Sequence, residues 1–179
     1  IFRMKRAVVD ALEKTTPHPV SRVKGIRGEL AVKVRHFDEA KDERAVTDYL
    51  KYRFQDNPQA VESVGSVFRA MRKELASHQG EVRKTWIQVI QIGDTAVVGV
   101  PAEFFTVLGQ DIKRRSPFRD TYVFELANDY IGYVGDRKAY ELGGYQVWTG
   151  FHSFTEPGTG ELIVDEAVKL LNRLHDESN

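Results

Sequence analysis

Apolar positions at Ile1, Met4, Val8 and Leu12 recur at helical spacing, and Thr15-Thr16-Pro17 ends the run. His18 to Gly28 reads as loop. Leu30, Val32 and Val34 then alternate with Ala31, Lys33 and Arg35, the pattern of a half-exposed strand. Ala40 to Phe54 predicts a helix with Val46, Tyr49, Leu50 and Phe54 inward. Asn57-Pro58 marks a helix start, with Asn as N-cap and Pro at the first helical position. Val61, Val64, Phe68, Met71 and Leu75 follow as one stripe, which predicts a core-facing helix over 57–76.

The second half changes period. Residues 86–92 and 95–100 are β-rich runs joined by Gly93-Asp94, which suits a tight hairpin. The run Ala96 to Val100 is nearly all apolar and predicts a strand buried on both faces. Pro101 is expected to open a helix over 102–115, with Phe105, Leu108 and Ile112 inward. A further strand is expected over 121–126, and a closing helix over 160–175 with Ile163, Ala167, Leu170 and Leu174 on one face. Repeats and low-complexity tracts are absent. The expectation is a single α/β unit spanning 1–179, with a layered mixed sheet flanked by helices.

Composition narrows the classes. Lys+Arg and Asp+Glu are 26 each, so the net charge is 0 and a basic footprint for nucleic acid is missing. Apolar residues make up 41%, enough for a sizeable core. No apolar run approaches the roughly 20 residues of a membrane span. With no cysteine, disulfides, thiolate metal sites and cysteine nucleophiles are excluded together. The chain opens at Ile1 inside a helical pattern, which predicts a processed or truncated N-terminus.

Local chemistry is sparse. His18, His36, His78, His152 and His175 show no pair at the spacing of a local zinc site, and no dinucleotide, phosphate-loop or nucleophile-elbow motif is present. Two places stand out. Glu103, in Gly99-Val100-Pro101-Ala102-Glu103-Phe104-Phe105, is expected in the first helical turn after a buried strand, where α/β sheets gather ligands. It could equally be an acid favoured by the helix N-terminus. Asn128 to Arg137, followed by Gly143-Gly144-Tyr145, concentrates Tyr, Gly, Asn and Asp in a loop. Its tyrosines could donate to an oxyanion or bind a metal, or simply pack flat on a glycine-rich surface loop.

Together these places carry a family resemblance. The run from about Trp86 to the end resembles the catalytic domain of the neutral/alkaline (non-lysosomal) ceramidases. The matching pieces are IQIGDTAVVGVPAEFF, ending at Phe105, then residues 116–147, then GTGELIVDEAVKLL at 158–171. Ala102 and Phe104 stand where the family has Gly and Pro, and Gly135-Asp136 where it has a Pro-Thr type pair. The first 85 residues contribute little to the match.

The resemblance implies the C-terminal half of a zinc-dependent amidohydrolase that cleaves the amide of an N-acyl-sphingosine or similar N-acyl lipid. It implies that Glu103 and Tyr133 are metal ligands and that Tyr145 hydrogen-bonds the scissile carbonyl oxygen. The histidine ligands are then expected outside this chain, in a missing N-terminal half or a second chain. The immunoglobulin-like domain of the longer ceramidases is expected to be absent. The family also suggests secretion or a periplasmic location. A metal-free binding or scaffold piece of the same fold is the competing expectation.

Overall fold

The computed structural model describes residues 1–17, 19, 20 and 22–177. His18, where the expected loop begins, lies outside the described residues. Helix α1 (Phe2–Lys14) forms where the spacing places it, yet none of its residues is buried. Strand β1 (Val23–Lys33) starts well before Gly28 and corrects the loop expectation. It pairs antiparallel with β2 (Val82–Ile92) along its whole length, from Val23 opposite Ile92 to Lys33 opposite Val82. Gly25 and Gly28 weaken the local strand signal, but a partner distant in sequence supplies the ladder, and pairing overrides propensity.

Helices α2 (Glu39–Arg53) and α3 (Pro58–Leu75) form a hairpin. Asp38 caps α2 by accepting from the Lys41 amide at 3.0 Å, and Asn57 caps α3 by accepting from the Ala60 amide at 2.9 Å. Each cap satisfies an amide that has no partner within its helix. Val46 and Leu50 of α2 and Phe68 of α3 enclose a small core with Trp148, while Tyr49, expected inward, stays largely exposed.

After a single 3-10 turn (Ala76–His78), β2 turns through Gly93-Asp94 into β3 (Thr95–Gly99) as an antiparallel hairpin. The two-residue strand β4 (Glu103–Phe104) and helix α4 (Thr106–Arg115) then lead to β5 (Asp120–Phe124), which lies parallel to β3. The main sheet therefore has the order β1-β2-β3-β5 and is mixed. Beyond it come β6 (Tyr133–Val134), paired with β4 in a separate two-stranded sheet, helix α5 (Arg137–Leu142), a 3-10 turn (Tyr145–Val147) and helix α6 (Thr159–Asp176).

One face of the main sheet is the core. Leu30, Val32, Ile87, Val89, Ala96 and Val98 point into it and meet Leu108 and Ile112 of α4 and Ile163, Ala167, Leu171 and Leu174 of α6. Each of the Val, Leu and Ile side chains among them contributes about 1.5–3 kcal/mol by leaving water. The expectation that residues 96–100 are buried on both faces is not met. Ala96 and Val98 are buried while Val97 and Gly99 are only half-buried, because both covering helices pack on the same side. The opposite face leaves Tyr122 and Phe124 exposed. No helix among the described residues is long and apolar enough to cross a membrane.

Candidate functional site

Glu103 does not sit in a helical turn. Phe105 is extended and serves as the N-cap of α4, so the helix begins only at Thr106. Upstream of it the chain is drawn into a parallel ladder. The Glu103 amide donates to the Gly132 carbonyl at 3.0 Å, and the Phe105 amide donates to the Val134 carbonyl at 3.1 Å. These bonds to a segment 30 residues away displace the local helix that Pro101 suggested. The account of Glu103 as an acid favoured by a helix N-terminus therefore falls away.

The ladder sets Glu103 directly beside Tyr133. Gly132 makes this possible. Its φ is +78°, and a Cβ there would overlap the carbonyl of His152. That carbonyl accepts from the Tyr133 amide at 2.6 Å, so three chain segments meet within one turn of backbone.

The side chains converge. The Tyr130 hydroxyl donates to Glu103 Oε1 at 3.1 Å, and Tyr133 also hydrogen-bonds the Glu103 carboxylate. The bond to Glu103, aided by burial and by the negative charge of Glu103, pushes the Tyr133 phenol up to about 12. Tyr130 is also raised, chiefly by burial and then by its bond to Glu103. The Tyr145 ring, on the 3-10 turn, meets Tyr133 edge-on with centroids 6.1 Å apart. Glu103, Tyr133 and the apolar residues Phe105 and Val107 beside them border a cavity of about 540 Å³ that also takes in Glu125 and Gln146.

Two residues of this cluster escaped the sequence reading. The His152 ring stacks on Tyr145, with centroids 4.9 Å apart and planes 20° apart, and its Nε2 lies 2.9 Å from the Tyr145 carbonyl. Burial holds this imidazole below its ordinary value. A carbonyl only accepts, so Nε2 carries the proton and Nδ1 is left as the basic nitrogen. Arg35 is the second. It donates from Nη1 to the Val147 carbonyl at 2.8 Å, and from Nη2 to the Ser153 carbonyl at 2.8 Å and to Ser153 Oγ at 2.7 Å. Ser153 Oγ in turn donates to the Tyr133 carbonyl at 3.2 Å. Arg35 thus ties the segment bearing Tyr145 to the segment bearing Tyr133 from behind. Strand alternation in the sequence pointed to Leu30, Val32 and Val34 and gave no sign that the next residue is a buried cation.

The zinc implied by the resemblance needs about three protein ligands and an open position. Glu103 and Tyr133 supply two oxygens. Among the described residues no group of three or more His, Cys, Asp and Glu side chains is placed to hold a metal ion. His36, His78 and His175 belong to other places: His78 faces Glu81, and His175 packs on Phe118. The donor set of the described residues is incomplete for a catalytic zinc.

Fold and cluster together define a layered α/β unit with a carboxylate held between phenols on a short parallel ladder. No protein-family model matches the chain. Over 101 residues the chain is 31% identical to the neutral ceramidase of Pseudomonas aeruginosa, a stretch that covers 52% of this chain and 15% of that protein. The crystal structure of neutral ceramidase from Pseudomonas aeruginosa superposes with a TM-score of 0.56 at 16% identity, over 88% of this chain and 29% of that one. A second solved structure, a ceramidase complexed with C2, is 26% identical over 52% of this chain and 15% of its own, with a TM-score of 0.47. The resemblance to the neutral ceramidases is therefore present in sequence over half of the chain and in fold over most of it. The chain spans less than a third of the length of either protein.

Proposed function

We propose that this chain is the C-terminal half of a ceramidase-like catalytic domain and contributes one side of a zinc amidohydrolase site acting on an N-acyl-sphingosine or similar N-acyl lipid. The observation that supports it most is the Glu103–Tyr133 pair with Tyr145 alongside, set within a chain similar to neutral ceramidase. Glu103 and Tyr133 would be oxygen ligands, and imidazoles from outside this chain would complete the set. Zinc supplies a bound water with a pKa near 7 and a Lewis acid for the amide carbonyl.

The residues here do the rest. In the described state Tyr133 keeps its proton on the phenol oxygen, facing the Glu103 carboxylate, so a ligand role requires an adjoining positive charge to remove it. Tyr145, half exposed beside this pair, would donate a hydrogen bond from its hydroxyl to the oxyanion forming on the amide carbonyl oxygen. His152 and Arg35 hold the Tyr145 segment in position. The cavity beside Glu103, with Phe105 and Val107 in its wall, has apolar surface for an acyl chain.

The test is a zinc titration and an assay of a fluorescent N-acyl-sphingosine. The isolated 179-residue chain is expected to show neither tight one-to-one zinc binding nor turnover. Both are expected once a histidine-bearing segment is supplied, and Glu103→Gln should then weaken both. Persistently metal-free protein with that segment present would favour a scaffold role. Tight zinc binding with turnover by the chain alone would place a histidine of this chain, His18 included, in the site.

A further inference from the structure

A larger cavity, of about 740 Å³, opens on the other side of the Tyr145 turn, between α2 and the segment Gly143 to Thr149. That volume lies in the usual range for small-ligand sites. Arg35 lines it with only 7% of its surface exposed. Its guanidinium lies over the Tyr140 ring at 4.9 Å and bonds only to neutral acceptors. Arg35 Nε and the buried Tyr140 hydroxyl find no partner among the described residues. Burial lowers the Arg35 pKa, with Tyr140 and Asp42 opposing.

Around this buried cation the cavity brings Lys41 from α2 and Arg137 from α5, and neither forms an ion pair among the described residues. The acidic side chains on the same wall are Asp42, which accepts from Thr149 Oγ1 at 2.8 Å, and Glu141. Three cations thus face two carboxylates, one of them already engaged. A buried guanidinium without a paired anion is costly, and an incoming anion would offset that cost. Phe37, Tyr49 and Trp148 give the same cavity an aromatic wall.

We propose that this cavity binds an amphiphilic anion, an alkyl chain ending in a carboxylate or phosphate monoester. Its head would lie against Arg35, Lys41 and Arg137, and its chain along Phe37, Tyr49 and Trp148. The cavity shares no lining residue with the one beside Glu103, touches that cluster through Arg35, and does not rest on the proposed reaction.

The chain has two tryptophans, and Trp148 is in the cavity wall while Trp86 is on β2. In a Trp86→Phe background, fluorescence therefore reports on the cavity. Dodecyl phosphate, titrated below its micelle concentration, is expected to give a saturable one-to-one change. Adding Lys41→Ala and Arg137→Ala, both at exposed positions, should weaken it about tenfold. A neutral alkyl glucoside and inorganic phosphate should each bind about tenfold more weakly than dodecyl phosphate. A non-saturable response, an unchanged affinity in the double variant, or equal binding of the glucoside or of inorganic phosphate would each overturn the proposal.

Discussion

Two carboxylate clusters in this chain have opposite company. On the α2–α3 hairpin, Arg72 donates from Nε and Nη2 to both oxygens of Glu39 at 2.8 Å, and also reaches Glu43. Arg69 bridges Glu43, at 2.8 Å, and Glu62. Here guanidinium charge meets carboxylate charge, although the buried Arg72 Nη1 finds no partner among the described residues. At the β4–β6 ladder Glu103 has only phenols, and neither Arg nor Lys pairs with it among the described residues. The hairpin cluster fastens two helices. The ladder cluster keeps an anion supplied with neutral donors, and this is the arrangement in which a cation would find a preformed partner.

The contrast can be broken from either end. Replacing the fully buried Arg72 by Met keeps much of its volume but strands Glu39 and leaves Glu43 with Arg69 and Thr47 alone. Allowing for the exposure of those partners, a loss of about 2–3 kcal/mol is expected in denaturant unfolding. Gly132→Ala would force a strained φ and push the ladder off the His152 carbonyl. It should cost about 1–3 kcal/mol and weaken any activity more than Arg72→Met does, as unfolding and turnover measured together would show. Glu103→Gln removes the carboxylate that holds the Tyr133 proton. Spectrophotometric titration should then show Tyr133 moving from about 12 back toward its ordinary value of 10.0, with Tyr130 falling as well.

The smallest effect expected is a pH slope. Burial alone would raise Glu43, but bonds from Arg69, Arg72 and Thr47 hold it below its ordinary 4.5. A carboxyl depressed in the folded state stabilises above its unfolded value, and the contribution disappears as pH falls through the folded value. Wild-type stability should therefore decline as pH drops below about 4.5, and Glu43→Gln should flatten that decline.

Much of this was legible in the sequence, and for identifiable reasons. Asn57-Pro58, Gly93-Asp94 and the stripe on α6 are local signals, and each produced the element it encodes. Glu103, Tyr133 and Tyr145 could be singled out because they sit in a loop-rich stretch with a family resemblance. What could not be read was whatever depends on a remote partner. Glu103 looked helical because its ladder partner is 30 residues away. Val23 to Gly28 looked like loop because β2 lies across the hairpin layer. Arg35 and His152 gave no sign at all, since a buried arginine and a stacked histidine are recognisable only once Val147, Ser153 and Tyr145 surround them.

The Arg35 bonds carry one last consequence, for the order of assembly. They join positions 112 and 118 residues apart, whereas the β2–β3 hairpin and the α2–α3 hairpin close over a few residues. Contacts of such long sequence separation form slowly and reward the chain only after the loop between them has been closed. The Tyr145 turn is therefore locked late, after the helices and the antiparallel strands are in place. In a refolding experiment, secondary structure should recover in an earlier kinetic phase than the environment of Trp148.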